Sequence, residues 1–163
     1  MFDTVLGLPL HPLVIHAVVV LGPLTGLLLL GYVAVPRWRR GLRWPTVAMA
    51  GVVAAAAFVA TRSGEALERR VGSPAFGHEA AGELAARSLW ALGIVTLLVV
   101  FVLIRPHSGK GHRAQGARAG RAGVTSVVGI ALTVAAVGFA GYAVFSAGHS
   151  GAESVWLGRI AGT

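Results

Sequence analysis

Residues 13–35 read LVIHAVVVLGPLTGLLLLGYVAV, a stretch without a single Asp, Glu, Lys or Arg. About twenty apolar residues in a helix cross the hydrocarbon core of a bilayer. The stretch ends at Pro36-Arg37-Trp38-Arg39-Arg40, where a span would meet water. Three more apolar stretches follow, at about 45–61, 88–104 and 124–147. A soluble domain carries about a quarter charged residues; this chain of 163 residues carries 12% and is 55% hydrophobic. The expected fold is therefore an all-α, four-helix transmembrane bundle in one unit, since four spans and short loops leave no room for a second domain. The absence of cysteine excludes disulfides, iron–sulfur ligation and thiol chemistry.

Charge sets the expected topology. Arg37, Arg39, Arg40 and Arg43 lie between the first two stretches, and Arg105, Lys110, Arg113, Arg118 and Arg121 between the last two. Neither segment contains an acid. Asp3, Glu65, Glu68, Glu79, Glu83 and Glu153 all fall elsewhere, with only Arg62, Arg69, Arg70, Arg87 and Arg159. Loop Lys/Arg bias orients membrane proteins, so the two basic loops are expected on the cytoplasmic side and both termini outside. The net charge of +8 then marks topology and a surface for anionic lipid, and it does not indicate nucleic-acid binding. Met1-Phe2-Asp3-Thr4 lacks the basic region of a cleaved signal peptide, so the first span is expected to be retained.

Local signals refine the picture. Pro12 suits a first helical turn, and Pro23 is expected to kink the first span. Gly22 and Gly26 permit close helix packing, as do Ala54 to Ala57. Ser63 to Arg70 is expected to continue the second helix as part of a short outer cap. Gly72-Ser73-Pro74 would break it, with a new helix starting near Ala75. The segment Arg105–Arg121 reads as a mobile loop with solvent-exposed His107 and His112. Gly138, Tyr142, Phe145 and His149 follow helical spacing and should share a face. Gly148-His149-Ser150-Gly151 suggests a sharp exit from the last helix. No strand is expected, and no convincing internal sequence repeat stands out.

His11, His16, His78 and His149, with Glu65, should gather at the outer level, each of the four spans delivering a polar group. Ionisable residues at membrane depth are costly and mark function, and bundle sites are built from facing helices. On a regular helix His11 and His16 point about 140° apart, so they cannot comfortably share one small ion. Two imidazoles on opposing helices could clamp a haem b iron, the expected pair being His16 with His149 or His78. Gly138, Gly141 and the alanines of the second span would leave space for the porphyrin. His11 and Glu65 would support the group, with Arg62 or Arg87 as propionate counter-ions. The same histidines could instead hold Cu, Zn or Fe, or form a cofactor-free polar layer in a scaffold or accessory subunit. No catalytic signature appears: Ser150 beside His149 is not triad geometry, and there is no HExxH.

Leu8-Pro9-Leu10-His11-Pro12-Leu13-Val14-Ile15-His16 resembles the opening of the bacterial membrane family catalogued as domain of unknown function 2231. The similarity extends to Ser63-Gly64-Glu65-Ala66-Leu67-Glu68, to His78 with Gly82-Glu83, and to Gly148-His149-Ser150-Gly151-Ala152 before Val155-Trp156. Ala17-Val18 departs from the Phe-Pro that follows the second histidine in many relatives. The resemblance implies a four-span, multi-pass protein of the bacterial inner membrane, with His11, His16, Glu65, His78 and His149 as the family's polar positions. Some relatives are joined to Rieske-type iron–sulfur domains, which implies a redox setting with a redox partner or larger membrane complex. A homo-oligomer is a further expectation.

Overall fold

The computed structural model describes residues 4–72, 77–104 and 116–160. Four long helices dominate it: α1 (Leu10–Ala34), α2 (Arg39–Val71), α3 (His78–Leu98) and α4 (Gly116–Ile160). A turn of 3₁₀ helix, Pro36–Trp38, joins α1 to α2, and a five-residue π-helical stretch, Val99–Leu103, extends α3. Each helix, with its extension, is long and apolar enough to cross a membrane. The second and fourth expected spans lie within observed helices that run well past them, and the first and third each end one residue beyond theirs, at Val35 and Ile104.

α1 packs against α2 and α4, and α3 packs against the same two, while α1 and α3 barely touch across the diagonal. The core lies between these faces and includes Leu29, Tyr32, Val53, Leu89, Leu92, Val99 and Ala143, all nearly inaccessible. Val20, Leu27, Ile94, Val102 and Phe145 lie on the outside of the bundle. A helix apolar on every side belongs in lipid, and here the outward apolar surface is the lipid-facing one. Small residues let the helices approach. A Cβ at Gly26 would come within 2.9 Å of Val137, and one at Gly129 within 2.9 Å of Ile104.

Buried hydroxyls are satisfied locally. Thr25, Thr46, Thr96 and Thr133 each donate to the carbonyl one turn back in their own helix, on Leu21, Leu42, Leu92 and Gly129. Bonds between helices are few. Near the end where α1 finishes, the Tyr32 hydroxyl donates to the Ile104 carbonyl at 2.6 Å, at the close of the π-helical stretch. Arg39 completes this end by donating to the Tyr32 and Val33 carbonyls, which α1 leaves open at its C-terminus.

Several expectations are corrected. Thr4–Val5 and Leu8–Pro9 form a two-residue antiparallel pair around Leu6 and Gly7, both at positive φ, where no strand was expected. Such a turn needs left-handed backbone at both central positions, which Gly7 supplies freely and Leu6 adopts at a cost. The break at Gly72 is observed, and α3 is described from His78; Ala75 lies outside the described residues. The expected loop 105–121 yields to α4 from Gly116 onward, while residues 105–115, His107 and His112 among them, lie outside the described set. The sharp exit at Gly148 does not occur, because α4 continues to Ile160. An interior glycine costs a helix about 1 kcal/mol; at Gly151 that cost is offset by a contact described below.

Tyr32→Phe removes the hydroxyl but keeps the ring. It leaves the Ile104 carbonyl short of a donor in a dry site, so a loss of about 1 kcal/mol is expected in reversible unfolding from mixed micelles, with helical content unchanged.

Candidate functional site

The site is at the bundle end where α1 and α3 begin and α2 and α4 carry their later turns. His11 sits in the first turn of α1, next to Pro12, whose missing N–H costs nothing there. Its ring lies across α2. Nδ1–H donates to the Ala60 carbonyl at 2.9 Å, with the Ser63 Oγ at 3.4 Å. The Ser63 hydroxyl also donates to the Ala60 carbonyl. The ring is close enough to α2 that a Cβ at Gly64 would meet its Cε1 at 3.0 Å; any other residue there would press on the imidazole.

His78 opens α3 and lies across α4 in the same manner. Its Nδ1 is 3.2 Å from the Ser150 Oγ, and Ser150 donates its own proton to the Ala147 carbonyl. The direction of the His78–Ser150 bond follows the tautomer of the ring. A Cβ at Gly151 would meet the His78 Cε1 at 3.0 Å. This is why α4 keeps a glycine past the point where its composition suggests an end.

The two rings meet edge to face, with centroids 6.4 Å apart and planes at 78°. Both imidazoles are half-buried. The His11 Nδ1–H is committed to the Ala60 carbonyl and the His78 Nδ1 to the Ser150 hydroxyl, and neither Nε2 has a hydrogen-bond partner among the described residues. A hydrogen bond that fixes the distal ring nitrogen is how proteins orient a histidine ligand. No cluster of three or more His or acidic side chains fit for a metal exists among the described residues, so within them the candidate site is a pair of imidazoles.

The remaining expected site residues lie elsewhere. His16 is exposed, with Nδ1 turned to the Pro12 carbonyl of its own helix. His149 is also exposed: it stacks on Phe145 at 6.0 Å and sits 3.4 Å from Glu153. Ser150 faces inward, and one step along a helix turns a side chain by about 100°, so its neighbour His149 faces out. Glu65 is exposed and pairs with Arg62, and Glu83 pairs with Arg87. The face through Gly138, Tyr142, Phe145 and His149 exists but looks away from the bundle, and a Cβ at Gly138 or Gly141 would meet nothing. Those glycines do not hollow out the interior. Sequence reasoning missed Ser63, Gly64, Ser150 and Gly151 as site residues; the signal available was the Ser-Gly pair at 63–64, repeated at 150–151.

Replacing Gly64 or Gly151 by leucine should lift the facing imidazole from its seat, whereas leucine at Gly138 should not. In ¹⁵N-histidine spectra of the unaltered protein, His11 and His78 should show the Nδ1–H tautomer, and each glycine variant should lose it at the facing histidine alone.

A family model described as predicted membrane protein (DUF2231) matches residues 7–163. No curated protein and no solved structure matches the chain.

Proposed function

The chain belongs to the DUF2231 family of membrane proteins, and from its paired imidazoles we propose that it is a transition-metal-binding membrane protein whose ion is held by His11 and His78. The observation that carries this reading is the pair of half-buried imidazoles with ring centroids 6.4 Å apart, each held against a neighbouring helix through Nδ1. An imidazole nitrogen binds its metal at about 2 Å. One ion shared by two such nitrogens places the ring centres about 6 Å apart, close to what is observed. Copper, zinc and iron all accept imidazole.

Haem b would also use two imidazoles. It needs in addition a slot for the macrocycle between the helices. At this level Gly64 and Gly151 are already covered by His11 and His78, and the glycines of the α4 face look outward. A small ion fits this arrangement better than a porphyrin. The bias of Lys and Arg toward two segments supports a site on the outer side of a bacterial inner membrane, with both termini on that side and the basic α1–α2 connection inside. An ion there would be open to a redox partner or to a larger membrane complex.

Metal analysis of the detergent-purified chain after loading with copper, zinc or iron, alongside an optical spectrum, tests the reading. His11→Ala and His78→Ala should lose the ion, while His16→Ala and His149→Ala should retain it. A Soret band in the unaltered protein would instead assign the pair to haem, and a chain that takes up neither ion nor haem would leave a scaffold.

Because the chain lacks cysteine, single cysteines report topology directly. Glu65→Cys should react with an impermeant maleimide added to intact cells, and Trp38→Cys only after permeabilisation.

A further inference from the structure

We infer that the chain is a duplicated helical hairpin, and that the duplication makes His11 and His78 equivalent ligands of a single copper(I) ion held on the axis between them; the ligand part of this inference rests on the metal reading above.

The hairpins α1–α2 and α3–α4 repeat one pattern. Counting from His11 in α1 and from His78 in α3, buried positions coincide: Val18 with Ala85, Leu29 with Thr96, Tyr32 with Val99. Counting back from Ser63 in α2 and Ser150 in α4, Val53 coincides with Ala140, Ala57 with Val144, and Thr46 with Thr133. The two threonines even make the same bond, each to the carbonyl four residues earlier. The seats of the rings agree as closely. A Cβ at Gly64 would lie 3.0 Å from Cε1 and 3.8 Å from Nε2 of His11, and one at Gly151 at the same distances from those atoms of His78. Ser63 and Ser150 donate to Ala60 and Ala147 at 3.1 and 3.2 Å. With α1 and α3 on one diagonal and α2 and α4 on the other, the halves are related by a rotation about the bundle axis. The two imidazole rings lie 6.4 Å apart, centre to centre, near that axis. Side-chain identities have diverged, with Gly22 standing where the second half has Leu89, so the repeat survives in register and burial more than in letters.

A site on such an axis sees two like ligands. Both are imidazoles, which bring no negative charge to a metal, and the acids Glu65 and Glu83 are engaged with Arg62 and Arg87. An ion between neutral ligands keeps its full charge, and the desolvation cost grows with the square of that charge. It is about fourfold lower for a monovalent than for a divalent ion of the same size. Zinc sites normally use three or four protein ligands. Copper(I), with a filled d shell, is content with two collinear nitrogen donors. Two imidazoles and no third protein ligand among the described residues therefore match copper(I) among the metals that imidazole serves.

The full chain in detergent is titrated anaerobically with copper(I) against a colorimetric chelator, and separately with zinc(II). The expected result is one copper(I) per chain, a two-nitrogen X-ray absorption signature, and weaker zinc binding. His11→Asn and His78→Asn each keep an amide donor at the Nδ1 position, and so the helix contact, but lack Nε2. Both should weaken copper(I) binding at least tenfold, and to the same extent, in chains with unchanged helical content. Two ions per chain, or loss on altering one histidine but not the other, would overturn the equivalence while leaving a metal site in place. Tighter zinc than copper(I) binding would overturn the choice of ion. Failure of the unaltered chain to bind any metal would sink the underlying reading itself.

Discussion

Hydrocarbon offers no hydrogen bonds, so a polar group in this bundle must find its partner within the protein. Most do so without leaving their own helix, the buried threonines returning their protons to the preceding turn. Few side chains reach across to another helix. Tyr32 bonds to the close of the α3 extension at one end, and His11 and His78 bond to α2 and α4 at the other. Interhelical bonds of this kind are worth only about 0.6 kcal/mol on average in membranes. Their weight is in register: they specify which turn of one helix meets which turn of the next, at both ends of a bundle whose middle is Leu, Val and Ala.

The histidine end shows how packing and chemistry share the same residues. Gly64 and Gly151 let each ring lie against a neighbouring helix, and the backbone and serine oxygens behind it bond to Nδ1. The contacts that dock the helices thus also bring the two imidazoles to within 6.4 Å of one another, centre to centre.

Much of the fold was legible beforehand. The uncharged run from Leu13 to Val35, the arginines after it and three further apolar stretches were enough for a four-span helical bundle. The acids and cations segregated by segment. Local composition misled where tertiary contacts outweighed it. Gly148 to Gly151 looked like a helix end, but α4 runs on, because Ser150 and Gly151 carry His78. Of the four histidines expected together, His11 and His78 meet. His16 points about 140° away from His11 along the same helix, and His149 turns outward beside the inward Ser150.

The order of residues along the chain determined how many helices form and which segments carry charge, because hydropathy and charge are one-dimensional properties. Which histidines face one another was decided only in three dimensions. Direction around a helix is defined relative to its neighbours, and those neighbours are separated from His11 and His78 by the length of a whole hairpin.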